Sequence, residues 1–304
     1  MKEYYSVLGN GNHSKRVQKI LKKLKKNFKV YTSKDLKIRN KILEILDSKA
    51  TFIITPNHTH WKLIKLFKNN YIFCEKTPVT KSKDLNNLKK ISYNKIFFNF
   101  NRKFSKIYFY LDKIIKKYKL GNLIYGLFTS SKGLALKKSY NSNWRSKKKF
   151  NKSGVFETVS IHSLDLINEL FGIKKIKNIS KNNSKVGNAP DTSFGEVKVN
   201  SGNIINVFST YNSSLDIFIK LYFKNGIFEY DGKYLSLKYP TKKFDNKGQF
   251  VTPPVVFKEK IIFNNDYLFS LEKSIKYFIN KVDSKKFFSK KEFNNSVKIN
   301  KYVI

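Results

Sequence analysis

The chain has 304 residues, 40% hydrophobic and 15% aromatic, which sets it at one large domain or two ordinary ones and excludes global disorder. One cysteine (Cys74) and four histidines exclude an intrachain disulfide and a cysteine-built metal site, and the apolar runs are too short for a secretory segment or a membrane span, so the expectation is a cytoplasmic protein with no metal and no membrane partner. The net charge of +41 would suit a nucleic-acid binder, but only four of the 62 basic residues are arginine, the lysines are scattered, and Asn, Ile, Phe and Tyr are also in excess; this reads as the drift of an AT-rich coding sequence, with no specific nucleic-acid partner expected.

Residues 4–8 form a short apolar run that ends in Gly9-Asn10-Gly11, a strand and a turn. Residues 14–26 place Val17, Ile20, Leu21 and Leu24 on one helical face. Strand 28–31, helix 34–46, strand 50–54, helix 58–68, strand 71–74, helix 81–91 and strand 96–100 continue the alternation. Strands separated by helices of this length imply βαβ units and a doubly wound parallel sheet. Residues 105–118 predict another helix, 123–131 a strand, and about 160–171 a helix after Gly154. Five strands then follow without intervening helices, at 176–181, 193–199, 203–211, 215–223 and 226–230, which implies an open, mainly antiparallel sheet. Residues 267–282 predict a closing helix, and no internal repeat is visible. The fold class is therefore α/β, with an N-terminal parallel-sheet domain over 1–120 and a C-terminal α+β domain over 121–304, the helix 267–282 packing back toward the first.

Gly9-Asn10-Gly11-Asn12-His13-Ser14 follows a strand and opens a helix. That is where a dinucleotide diphosphate rests on a helix N-terminus: Gly9 permits the tight turn, Gly11 the close approach, and Ser14 is small enough for strand–helix packing. The competing reading is a plain turn. At the end of the second strand an acid would hold a ribose diol; here Ser33 and Lys34 precede Asp35, and they would suit a 2′-phosphate, which tilts the choice between NAD and NADP slightly to NADP, against a merely solvated lysine. Thr55, Pro56, Asn57 and His60 sit at the carboxyl end of the third strand, where ligands of open α/β sheets bind. His58 and His60, two apart, do not share a helix face, so a cap and cofactor contact fits better than a metal pair. Cys74-Glu75-Lys76-Thr77-Pro78 ends the fourth strand and, alone, is a turn. His162 and Asp165 share a helix face, so Asp165 would orient or charge-stabilise the imidazole, unless the pair is a partly buried histidine met by a local acid.

In this order and spacing, Gly9 to Arg16, Thr55 to His60, Cys74-Glu75-Lys76, Asn99 to Phe104 and Trp144-Arg145 … Gly154 … His162 … Asp165-Leu166 … Gly172 resemble the glucose–fructose oxidoreductase / myo-inositol dehydrogenase (Gfo/Idh/MocA) family over most of the chain. The resemblance implies a Rossmann domain that binds NAD or NADP through Gly9, Gly11, Asn12, His13, Ser14, Ser33, Lys34, Thr55, Pro56, Asn57, His60, Glu75 and Lys76. It implies a second domain that covers a carbohydrate substrate and forms a dimer or tetramer, with Lys76, Arg102, Trp144, Arg145, Thr158 and His162 binding the substrate. The chemistry implied is hydride transfer between nicotinamide and a sugar, nucleotide-sugar or polyol carbon, in settings such as surface-polysaccharide sugar synthesis. Lys76 would hold the reacting oxygen and His162 would move its proton. The lysine excess would suit an anionic sugar. One position departs from the family: Thr158 stands where it carries an aspartate, so a relative that binds cofactor or sugar without turnover is the alternative.

Overall fold

The computed structural model describes residues 2–240 and 242–304. The chain divides into two units, Met1–Asn101 with Phe150–Lys152 and Leu271–Ile304, and Arg102–Lys149 with Ser153–Ser270.

In the first unit the apolar runs become β1 (Lys2–Leu8), β2 (Phe28–Tyr31), β3 (Ser48–Ile53), β4 (Ile72–Glu75) and β5 (Ile96–Asn99), all parallel, in the order β2-β1-β3-β4-β5. β4 and β5 are buried at every position, as strands covered on both faces must be. Helices α1 (Asn12–Lys23), α2 (Arg39–Leu46), α3 (Asn57–Phe67) and α4 (Ser82–Leu88) link successive strands. The chain leaves β1 for β2 on one side and returns to β3 on the other, so the carboxyl ends of β1 and β3 flank the reversal of strand order where such sheets take ligands. The helix expected from residue 34 starts later. The Asp35 carboxylate accepts from the Thr32 amide (2.6 Å) and hydroxyl (2.7 Å), a turn of three 3-10 residues follows, and Ile38 is extended before α2 begins.

The second unit holds α5 (Lys106–Lys117), β6 (Leu123–Ser131), α6 (Ile161–Phe171) and seven further strands: β7 (Ile173–Lys181), β8 (Thr192–Val199), β9 (Ile204–Thr210), β10 (Asp216–Phe223), β11 (Gly226–Tyr230), β12 (Tyr234–Lys238) and β13 (Val255–Lys260). Its sheet runs β13-β12-β11-β10-β6-β9-β8-β7, antiparallel except at β6–β9. Burial alternates residue by residue along β8, β10, β11 and β12, which marks a sheet covered on one face only. The edge strands β7 and β13 are lysine-bearing and largely exposed, the usual guard against edge-to-edge pairing. The α/β class, a parallel sheet beside a mainly antiparallel one, is as the periodicity predicts.

Helix α7 (Phe263–Asp283) crosses the division at 270/271, and α8 (Lys290–Val303) closes the chain in the first unit. Phe278 of α7 lies 5.1 Å from the Phe52 ring and 5.4 Å from that of Phe73, which ties this helix to the parallel sheet. The sequence reading misses β12, β13 and α8. The first two are short strands, one of them exposed, and α8 spends its few apolar residues among lysines and asparagines. Among the described residues no helix is long and apolar enough to cross a membrane, and no cluster of three or more His, Cys, Asp or Glu side chains could hold a metal ion.

Candidate functional site

The β1–α1 turn is shaped by its two glycines in different ways. Gly9 has φ +107°, and a Cβ there would stand 2.4 Å from the Ile54 carbonyl oxygen at the end of β3; only glycine lets the two strand ends approach so closely. Ser14 Oγ donates to the Gly9 carbonyl at 2.6 Å and fixes the turn on the first coil of α1. Gly11 caps α1 without a side-chain hydrogen bond, and a Cβ added to it meets nothing within 4 Å. The first turn of α1, which begins Asn12-His13-Ser14, has no acidic residue. Its opening N–H groups lack a side-chain acceptor from the cap, and the helix dipole favours an anion there. These features fit a dinucleotide diphosphate.

Across the reversal, Pro56 caps α3 and Asn57 begins it. Thr59 Oγ1 donates to the Pro56 carbonyl and accepts from Thr55 Oγ1, both at 2.7 Å. Asn57 Nδ2 donates to Thr77 Oγ1 at 3.1 Å. His60, expected to touch the cofactor, has no exposed surface. Its Nδ1 lies 2.8 Å from the Thr77 carbonyl and its Nε2 2.9 Å from that of Thr55, so it joins two loops rather than presenting a surface to a ligand. Burial pulls its pKa below the usual imidazole range although both carbonyls favour the charged form. Ser33 and Lys34 are exposed beyond β2, and the neighbouring Asp35 is turned onto Thr32.

Glu75 ends β4 with 8% of its surface exposed. Its Oε1 accepts from His13 Nε2 and from Asn99 Nδ2, each at 2.7 Å. Burial alone would raise its pKa, but His13, Asn99 and Lys76 outweigh that and hold the carboxyl below its ordinary value. Lys76, next in sequence, is half-buried.

In the second unit a π-helical turn, Phe156–Ser160, leads into α6 and carries Thr158 and then His162. Gly154 begins it with φ +60°, and a Cβ there would fall 1.8 Å from the Pro190 carbonyl oxygen. Thr158 is 4% exposed; its hydroxyl donates to the Gly154 carbonyl at 2.9 Å and meets the Tyr211 hydroxyl at 2.7 Å. Burial raises the Tyr211 phenol, while Arg145 and Thr158 act against that rise. The Arg145 guanidinium also lies over the Trp144 ring, 4.3 Å from its centroid. His162 lines a cleft with Arg102, Ser130, Lys132, Ser163 and Phe263. Arg102 is buried, stacked 4.5 Å over the Phe263 ring.

Asp165 does not supply the charge expected of it. Burial pushes its carboxyl up to about 8, against the pull of Lys103, and its Oδ2 has no hydrogen-bond partner among the described residues. It is therefore largely protonated at neutral pH. The folded chain keeps a proton that the unfolded chain releases near pH 4. The stability this group contributes is full below that pH and drains away as pH rises through about 8. Asp165→Asn is expected to raise Tm relative to the native chain more at about pH 9 than at about pH 5; an equal Tm difference at both, by thermal unfolding, would contradict this.

The structure thus gathers Gly9, Gly11–Ser14, Thr55–Asn57, Glu75 and Lys76 around one end of the parallel sheet, and Thr158 and Arg145 around Tyr211 with Trp144 under the guanidinium, with Arg102 and His162 on one cleft. Sequence reading gives no role to Tyr211 and quotes Asn99 only within a motif. Asn99 is legible once β4 and β5 are paired in parallel, since it stands opposite Glu75. Tyr211 carries no local signal.

A family model described as "Oxidoreductase family, C-terminal alpha/beta domain" (GFO_IDH_MocA_C) matches residues 113–286, more than half of the chain. No curated protein matches. Among solved structures, levoglucosan dehydrogenase in complex with NADH and levoglucosan is similar at a TM-score of 0.77 and 13% identity, over 99% of this chain and 95% of that one. A myo-inositol dehydrogenase from Corynebacterium glutamicum is similar at 0.71 and 16% identity, over 100% and 95%. GenD2 from gentamicin A biosynthesis, in complex with NAD, is similar at 0.71 and 13% identity, over 100% and 93%. At such identities the likeness is one of fold.

Proposed function

The chain belongs to the GFO/IDH/MocA oxidoreductase family, and on that premise we propose that it oxidises a CH–OH carbon of a carbohydrate to C=O, or reduces the C=O back, with a nicotinamide dinucleotide. The first unit binds the nucleotide, and the second binds the substrate. The observation that carries the reading is the open N-terminus of α1 behind Gly11. Bound there, the nicotinamide would supply the acceptor or donor of the hydride. Gly11, Asn12 and His13 would hold the diphosphate, and Thr55, Pro56 and Asn57 the neighbouring sugar. Lys76 holds the substrate oxygen as negative charge develops on it. His162 takes the hydroxyl proton in oxidation and returns it in reduction, work for which an imidazole near neutral pH is suited. Titration with NADPH and with NADH, followed by nicotinamide fluorescence, tests the reading; no binding of either at millimolar concentration overturns it.

The exposed Ser33 and Lys34, beside an Asp35 carboxylate committed to Thr32, support NADP over NAD. Lys34→Glu is then expected to weaken NADPH binding by about tenfold or more, the loss of one charge-assisted contact, and to leave NADH binding nearly unchanged. Equal effects on both would point to bulk charge.

The cleft at His162 supports a substrate with negative charge. Its described lining includes Lys132 and Arg102 and no carboxylate, although the buried Arg102 guanidinium is already attracted by Asp266 from behind the lining. Turnover of uronic acids or nucleotide sugars above neutral sugars in a panel checks this. Self-association is supported by an apolar row on the outer sheet face: Ile179 (65% exposed) and Phe194 (47%) stand opposite each other, with Phe208 next across the ladder. A dimer or tetramer by light scattering is the expected outcome.

A second reading, binding without turnover, is favoured by Thr158. A hydroxyl bonded to Gly154 and Tyr211 cannot accept a proton as a carboxylate does. Protein that binds cofactor yet turns over no member of a broad sugar panel would favour it.

A further inference from the structure

Resting on the nucleotide-binding reading above, we infer that the His13–Glu75 pair is a tie that positions Lys76 and couples it to occupancy of the α1 N-terminus. His13 lies in the first turn of α1, beside the open N–H groups, and Glu75 ends β4. The two elements are not sheet neighbours: β1, from which α1 departs, is separated from β4 by β3. The 2.7 Å contact between His13 Nε2 and Glu75 Oε1 therefore reaches past the carboxyl end of β3, over the place where strand order reverses.

The backbone on both sides of Lys76 is gripped. On one side Glu75 is held by His13 and by Asn99, its partner in the β4–β5 register. On the other, Thr77 is held by Asn57 through its hydroxyl and by His60 through its carbonyl. His13 comes from the first turn of α1, and Asn57 and His60 from the start of α3. An anion settling on α1 bears on the helical turn that carries His13, and so on the carboxylate beside Lys76.

Energetics make this tie more than a packing contact. A carboxylate with so little exposed surface stays ionised only while donors compensate it, and loss of one donor leaves a buried charge short of a partner. Lys76 is among the groups that hold the Glu75 carboxyl below its ordinary value, through charge attraction. His13 thus acts on Lys76 through Glu75 and is a positioning residue.

The test is a thermodynamic cycle on a ligand without nicotinamide. ADP-ribose affinity is measured by calorimetry for the full chain and for His13→Ala, Lys76→Met and the double variant, with the Tm of each ligand-free protein recorded. The expected result is non-additivity of roughly three- to thirtyfold in the dissociation constant. Glu75→Gln, which keeps the shape and removes the charge, should abolish the coupling as well, and His13→Gln, which keeps an N–H donor, should restore part of it. Additive effects of His13→Ala and Lys76→Met, with ADP-ribose still bound, overturn the inference and leave the nucleotide reading intact. Should His13→Ala fail to fold, the same cycle run with Glu75→Gln decides. Absence of ADP-ribose binding by the native chain would instead sink the nucleotide reading itself.

Discussion

Lys76→Met is expected to lower kcat by about two to three orders of magnitude while the protein stays folded and binds nucleotide, the size of loss seen when one donor to a developing oxyanion is removed. Methionine keeps most of the length and apolar stem of lysine and removes the ammonium. The backbone around position 76 is held by contacts that do not involve the lysine head: Glu75 by His13 and Asn99, Thr77 by Asn57 and His60. The substitution therefore removes the charge, with its pull on the Glu75 carboxylate, and leaves those hydrogen bonds in place. Lys76→Arg is expected to recover little, because a planar guanidinium delivers its donors in a different geometry. A drop in kcat with a nearly constant KM locates the loss in the transition state; a rise in KM alone would mean that Lys76 only binds substrate. His162→Asn serves as the companion, since removal of a general acid–base costs about two to four orders of magnitude. If Lys76→Met leaves kcat within a factor of about three, the proposed role of the ammonium is wrong.

What the sequence discloses follows from how local each feature is. The parallel sheet is legible because β1 to β5 are short apolar runs spaced by helices, and because Gly9 and Gly11 follow the first of them. The antiparallel sheet is legible in β8 to β11, where burial alternates, and illegible at β13, whose exposed face carries no period. The individual residues of the site are less legible. His60 has the sequence position of a ligand contact, yet its burial between two carbonyls makes it a structural clamp. Asp165 has the helix spacing of an ionised partner for His162, yet its buried carboxyl is pushed up to about 8. Burial is a property of the assembled unit, and no spacing rule predicts it. The pairings that define the loops, Glu75 with Asn99 and Thr158 with Tyr211, join residues far apart in sequence; the first becomes visible once the β4–β5 register is known, the second only in the folded unit.

Gly9 and Gly11 sit two residues apart, and their replacement by alanine is expected to separate fold from function. Gly9→Ala places a methyl 2.4 Å from the Ile54 carbonyl oxygen at φ +107°. Strain of this kind costs about 1–3 kcal/mol before the clash is counted. The clash is with backbone at the end of a buried strand, which has little freedom to yield. A fall in Tm of several degrees is expected, together with a loss of nucleotide affinity, since the turn itself is displaced. Gly11→Ala is different. Its backbone, at φ −77° and ψ 175°, is open to alanine, and the new methyl meets nothing in the ligand-free protein. Alanine is a poorer helix cap than glycine by a few tenths to about 1 kcal/mol. It also narrows the unfolded ensemble, which returns about 0.4–1 kcal/mol. The two effects nearly cancel, so Tm should hardly move. The methyl does, however, enter open space beside the start of α1 that the proposed diphosphate would need. Loss of one or two charge-assisted bonds to the diphosphate, about 1.5–3 kcal/mol each, weakens nucleotide binding by tenfold or more. Tm by thermal unfolding and affinity by nicotinamide fluorescence check both variants. If Gly11→Ala binds NADPH and NADH as the native chain does, no diphosphate rests on that turn, and the open end of α1 is only a helix end facing water.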